Sequence, residues 1–140
     1  MDPRFDIHKA SGILIKDRKL LIVRQKGKEY FIAPGGKLDA DEKPTDALVR
    51  ELKEELSLNI DKNSLELFGS FYAPSAGQED LILRSDVFLV NEWHGELHLN
   101  PKDKVNEYKW VTSKYVGSIK IGSIFEHEVI PRLKSRGLID

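Results

Sequence analysis

Two apolar, β-branched runs open the chain, residues 10–16 and 20–25, with the polar tetrad Lys16-Asp17-Arg18-Lys19 between them. Such runs around a turn-like break predict a β-hairpin. Residues 30–33 predict a short third strand running into a turn at Pro34-Gly35-Gly36. Two further strands are expected over residues 64–72 and 81–91, divided by a loop at Ala73-Pro74-Ser75-Ala76-Gly77, and another over residues 107–112. Ile124, Phe125, Val129, Ile130 and Leu133 fall at helical spacing within residues 124–136. Pro131 lies inside that pattern and should kink or break it, because proline has no N–H to donate.

The most regular helical stretch lies in the middle. Pro44 suits a first helical position, where its missing N–H costs nothing. Asp46 then adds negative charge where the helix dipole favours it. Residues 47–56 contain no Gly or Pro and are rich in good helix formers. At about 100° per residue, Glu51, Glu54 and Glu55 share an arc of roughly 100°. Leu48, Val49, Leu52 and Leu56 fill a neighbouring arc, so one helix would turn an apolar stripe to a core and carboxylates elsewhere. Like charges at these offsets repel. Taken alone they describe a solvated acidic face, with Arg50 relieving part of the repulsion. Read as ligands, they are hard oxygens suited to Mg²⁺ or Mn²⁺ and not to a thiol-seeking metal.

Composition narrows the classes. At 140 residues, 40% hydrophobic and 32% charged, the sequence is that of one soluble globular domain over residues 1–140. A net charge of −1 leaves no basic footprint for polymeric nucleic acid. With no cysteine, disulfides and thiolate chemistry are excluded. The start, Met1-Asp2-Pro3-Arg4-Phe5-Asp6, has no apolar signal core, and no apolar run is long enough to span a membrane, so a cytoplasmic location is expected. A homodimer is compatible with the sequence.

Residues 36–58 read Gly36-x5-Glu42-x7-Arg50-Glu51-Leu52-x-Glu54-Glu55-x-Ser57-Leu58. This resembles the Nudix box, the signature of hydrolases that cleave nucleoside diphosphates linked to another group. Every charged position of the pattern is filled; its second glycine is replaced by Ser57. The resemblance implies an α/β fold, a Nudix-type α/β/α sandwich with a mixed central sheet. It also implies Mg²⁺- or Mn²⁺-dependent attack of water on a phosphorus of a small nucleotide.

The roles that the resemblance implies are these. Glu51 and Glu55 are the principal metal ligands, Glu54 is a further ligand or polarises water, and Gly36 lends a backbone carbonyl. Arg50 pins a glutamate of its own helix and the loop, Glu42 orients or ligates through water, and Gly35 serves the turn. The general base is either a box glutamate or one elsewhere. Glu107, before Tyr108-Lys109-Trp110-Val111, is the leading outside candidate, ahead of Glu96 and the pair Glu79-Asp80. Lys37 and Arg24 are candidate phosphate or substrate contacts, and Phe31 either stacks a base or joins the core. Trp110 is expected in the core. His8, His94, His98 and His127 show no ligand spacing.

Ser57 stands where the family's glycine ends the helix in a left-handed conformation, which serine tolerates poorly. The helix is therefore expected to run on or to end with another cap. Asp41 likewise stands where relatives commonly have glycine. For substrate, the stretch Phe31…Pro34-Gly35-Gly36-Lys37 resembles small MutT-like enzymes that convert a (d)NTP to a nucleoside monophosphate and pyrophosphate. Residues 120–124 lack the asparagine that oxidised-guanine readers use. Pro74 resembles a proline found past the box in ADP-ribose or ADP-sugar pyrophosphatases, which are the alternative. A catalytically poor nucleotide-binding module is the reading from another class.

Overall fold

The computed structural model describes residues 4–75 and 77–140. The first strand, β1 (Ile7–Ile13), does not form a hairpin with the run that follows it. At the fully buried Leu14 the chain leaves one sheet for another. The short β2 (Ile15–Lys16) then turns through Asp17 and Arg18 into β3 (Lys19–Gln25), so the expected hairpin exists only in its last rungs. Both turn residues have positive φ, 52° and 61°, as a two-residue turn matching strand twist requires.

The expected strand at residues 30–33 is reduced to isolated bridges, Val23 to Ile32 and Phe31 to Ile121. The Pro34-Gly35-Gly36 segment, read as a turn, instead leads into β4 (Gly35–Lys37), antiparallel to β1. Gly35 has φ 139°, and a Cβ there would collide with the Ala10 carbonyl, so only glycine lets the two backbones approach.

Helix α1 (Pro44–Leu56) begins at the expected proline. The two-residue β5 (Asn59–Ile60) follows. The long hairpin is β6 (Leu65–Ser75) and β7 (Gln78–Val90), and it extends further than the sequence predicts. Pro74 lies within β6, opposite Ile82. This is tolerated because β6 is an edge strand, whose outer N–H positions have no ladder partner. Of the loop expected at residues 73–77, Ala76 lies outside the described residues, as do Met1, Asp2 and Pro3 of the chain start. After β8 (Trp93–His94), which pairs with β5, β9 (Val105–Val111) lies antiparallel to β3.

The principal sheet has the order β4-β1-β7-β6 and is mixed, with β1 and β7 parallel and the other pairs antiparallel. The second sheet is β2-β3-β9. Ala47, Leu48, Leu52 and Leu56 of α1 pack with Ala10, Leu21, Val23 and Phe88 in one core. A separate core joins Ile13, Leu20, Ile22 and Val87 to Phe125, Val129 and Leu133 from the C-terminal segment. That segment is a π-helical turn over Phe125–Val129 followed by α2 (Ile130–Ser135). Pro131 sits in the first turn of α2, where its missing donor is harmless, and the wider turn ends just before it. Helices on both sides of mixed strands give the expected α/β/α arrangement.

Candidate active site

The C-terminal half of α1, β4 and β1 form one wall of a cleft of about 450 Å³. Glu51, Glu54 and Glu55 line it from the helix, and Gly35, Gly36 and Lys37 from β4. Pro74 lines it from the hairpin tip. The floor is hydroxylic: Ser11 and Ser85 are buried with their Oγ atoms 3.1 Å apart.

Glu55 is 4% exposed and its Oε1 accepts the Gly35 N–H at 3.1 Å. Burial pushes its carboxyl up to about 8 despite that hydrogen bond, and Glu51 and Asp103 push the same way. Glu51 is also raised by burial, with Arg50 opposing. Its carboxylate lies directly over Gly36, where a Cβ would sit 2.5 Å from the carboxyl carbon. Glycine at position 36 therefore leaves the space that the Glu51 carboxylate occupies.

Arg50 ties the loop to the helix. It donates through Nε and Nη2 to Glu42 at 3.0 and 2.9 Å, through Nη1 to Glu51 at 2.9 Å, and through Nη2 to the Lys37 carbonyl at 3.1 Å. A weaker bond of 3.4 Å reaches Glu54. The guanidinium, with the Asp39 N–H, holds Glu42 down at about 2, and Glu42 in turn keeps Arg50 charged. Neither Arg50 nor Glu42 lines the cleft.

Helix α1 ends at Ser57, with φ 62° and ψ 25°. The left-handed cap is thus present with serine in it, contrary to the expectation that the helix would run on or change its cap. The Ser57 N–H reaches Lys53 O, the bond of an αL helix ending, and the Leu58 N–H makes a longer reach of 3.4 Å to Leu52 O. Ser57 Oγ donates to the His98 carbonyl at 3.0 Å, a bond glycine could not make. Asp41 also has positive φ, 63°.

Of the residues expected to act on substrate or as general base, three lie outside the cleft lining. Arg24 and Glu107 are cross-strand partners on β3 and β9, with Nη2 and Oε1 at 2.5 Å. Phe31 is 5% exposed and packed in the core, with the Arg24 guanidinium 5.5 Å and the Lys109 ammonium 5.8 Å from its ring centre. The backbone bridges Phe31 to Ile121, and its ring packs with Ile121 and Ile124 while Tyr30, Ile32 and Ala33 line the cleft. Trp110 packs against the α1 core as expected. His8 is bonded to the buried Asp86 at 2.5 Å, away from the cleft.

Sequence reasoning missed Asp103, which faces the cleft from the loop before β9, and it missed Lys9, Lys28 and Lys104, which also line it. Asp103 carries no periodic signal, because it lies in the irregular Pro101-Lys102-Asp103-Lys104 stretch. Lys9 had no clear one either, since β1 reads Ile-His-Lys-Ala-Ser-Gly-Ile, with His8 and Ser11 as further polar positions.

A divalent cation fits the donor chemistry. Glu51, Glu55 and Asp103 gather carboxyl oxygens at the cleft, and the first two are disfavoured as carboxylates until a positive charge compensates. Among the described residues, no three acidic or imidazole side chains are gathered into a closed ligand set. Arg50 holds Glu51 and Glu54, and Gly35 holds Glu55.

Sequence and fold comparisons agree with this architecture. Residues 6–133 match the NUDIX domain, and the chain belongs to the Nudix family. An ADP-ribose pyrophosphatase of Methanocaldococcus jannaschii is 32% identical over 75% of this chain. The chain spans 64% of the length of that relative. An 8-oxo-dGTP diphosphatase of Haemophilus influenzae is 35% identical over 64% of this chain and 66% of its own. The Escherichia coli ORF135 protein superposes with a TM-score of 0.73 at 23% identity, covering 93% of this chain and 91% of its own, a likeness of fold. Among the described residues, no helix is long and apolar enough to cross a membrane.

Proposed function

We propose that the cleft hydrolyses the pyrophosphate linkage of a nucleoside diphosphate derivative with Mg²⁺ or Mn²⁺ as cofactor. The favoured substrate is a (d)NTP, giving a nucleoside monophosphate and pyrophosphate. One observation carries this reading. A cleft of nucleotide size has carboxylates on α1 and at Asp103, and lysines at positions 9, 28, 37 and 104. Phosphoryl chemistry asks a protein chiefly for positioning and for neutralisation of charge, and this polarity suits both.

Glu51, Glu54 and Glu55, with the Gly36 carbonyl, would hold the metal, which when bound supplies charge neutralisation and an acidified water. Asp103 is the better placed candidate to accept a proton, since Glu107 is engaged by Arg24 beyond the lining. Arg50 and Glu42 act by position, fixing Glu51 against Gly36. Lys37 and Pro74 are proposed to meet the substrate directly, whereas Arg24 and Phe31 support the strand behind it.

ADP-ribose is the second reading, favoured by the M. jannaschii relative and by Pro74 lining the cleft. A screen of phosphate and pyrophosphate release over NTPs, dNTPs, ADP-ribose and dinucleotides, with each metal, tests both. Turnover of none of them, alongside retained nucleotide binding, would support the catalytically poor module.

A further inference from the structure

Lys9 and Lys37 are directly opposite partners in the β1–β4 ladder, so both side chains project from the same face of the sheet into the cleft. Like charges facing each other across strands destabilise the pair. Lys9 is also half-buried, and placing an ammonium there costs free energy unless a partner compensates. Lys104, from the loop before β9, adds a third positive charge close enough to disfavour the Lys9 ammonium further. Among the described residues, none of these three side chains has a hydrogen bond or an ion pair. Glu55 and Glu51 offset part of this electrostatically, without a direct hydrogen bond or ion pair to Lys9.

A fold that crowds three unpaired ammoniums beside a metal-type carboxylate group is arranged for a ligand of high negative charge. We infer that Lys9, with Lys37 and Lys104, clamps a chain of three or more phosphates, and that Lys9 determines the choice of a nucleoside polyphosphate over a nucleoside diphosphate sugar. This deepens the hydrolase reading above and rests on it for the nucleotide. Lys37 and Lys104 stand at the exposed rim, while Lys9 lies further in on β1, toward the Ser11–Ser85 floor. Two phosphates lying against α1 can satisfy the rim. A third reaches the deeper ammonium.

The test compares Lys9→Met, Lys9→Arg and Lys104→Met with the wild type. Calorimetry reads binding of tripolyphosphate and of pyrophosphate at matched Mg²⁺. Kinetics read kcat/KM for an NTP panel and for ADP-ribose. Loss of a charge-assisted contact predicts roughly a tenfold or larger weakening of tripolyphosphate binding in Lys9→Met. Pyrophosphate binding should change less than about threefold, since its contacts at the rim and helix remain. Lys9→Arg should retain most of the preference, and added salt should narrow the wild-type advantage. The kcat/KM for NTPs should fall with tripolyphosphate affinity while that for ADP-ribose holds.

Lys9→Met should melt no lower than the wild type, because it removes a half-buried, unpaired charge. If it does not fold, Lys9→Gln must show the same selective loss, whereas Lys104→Met at the exposed rim should weaken both anions. Equal losses for both anions in the Lys9 variant, no loss there, or no detectable tripolyphosphate binding by the wild type would each overturn the clamp. A Lys9-dependent preference for tripolyphosphate in a protein that hydrolyses nothing would leave the clamp standing and remove the hydrolase reading instead.

Discussion

Glu55 permits a test of the site's charge that needs no substrate. Its folded-state value of about 8 lies above the ordinary 4.5, chiefly through burial. The native metal-free protein therefore holds a proton that the unfolded chain releases. That contribution is complete below about pH 4.5 and is lost as pH rises toward 8. The full gap corresponds to on the order of 4–5 kcal/mol, and the part lying above pH 5.5 to about 3 kcal/mol. For a domain of this size that is a fall in Tm of roughly 10 °C between pH 5.5 and 9.

The window is chosen so that acid unfolding does not intrude. Glu42 and Asp86 are held below their ordinary values, so their contributions are lost only at lower pH. Glu55→Gln keeps an acceptor for the Gly35 N–H but has nothing to titrate. Its Tm, followed by circular dichroism in EDTA, should fall far less over the same range. A residual slope should remain from Glu51, which is raised for the same reason. Mg²⁺ should restore the alkaline Tm of the wild type but not of the variant, and the variant should lose most hydrolysis while staying folded. A wild-type Tm that is flat from pH 5.5 to 9 in EDTA, or a variant that falls equally, would refute the reasoning.

Three further substitutions examine the frame around it. Gly36→Ala places a methyl against the Glu51 carboxylate at a position without unusual φ, so Tm should change little while kcat at saturating Mg²⁺ drops at least tenfold; unchanged kcat would show that the Glu51 position is not critical. Ser57→Gly removes left-handed strain of about 1–2 kcal/mol, but it forfeits the bond to His98 and adds unfolded-state entropy, so denaturant titration should give a net change within about 1 kcal/mol. A loss above about 2 kcal/mol would mean that the Ser57–His98 bond outweighs the strain. Asp103→Asn should lower kcat more than Glu107→Gln and remove more of its pH dependence; the reverse order would return the proton-accepting role to the β9 strand.

What could be read beforehand was whatever a single element presents. The carboxylate and leucine arcs of α1 follow from one periodicity, the proline start from one residue, and the break at Pro131 from a missing donor. Positions set by pairing between distant segments were not legible. A Gly-Gly pair reads locally as a turn, yet here it makes a strand because β1 accepts it as a neighbour. Phe31 reads equally as a stacking aromatic or a core residue, and only packing against the C-terminal segment decides for the core. Ser57 adopts the glycine conformation because the cap bonds and the His98 carbonyl hold it there.

The lysine wall is the clearest instance. Lys9 faces the cleft because β1 lies parallel to β7 with Lys9 opposite Ser85, a register joining segments far apart in sequence. Strand side chains alternate with a period of two, so a slip of one residue would turn every β1 side chain to the opposite face. His8 would then face the cleft, and Lys9 would lie beneath α1 among the leucines. Burying an unpaired ammonium in that core costs several kcal/mol. The same penalty that makes Lys9 an odd strand residue therefore helps to exclude the wrong register, and it leaves the charge facing the cleft.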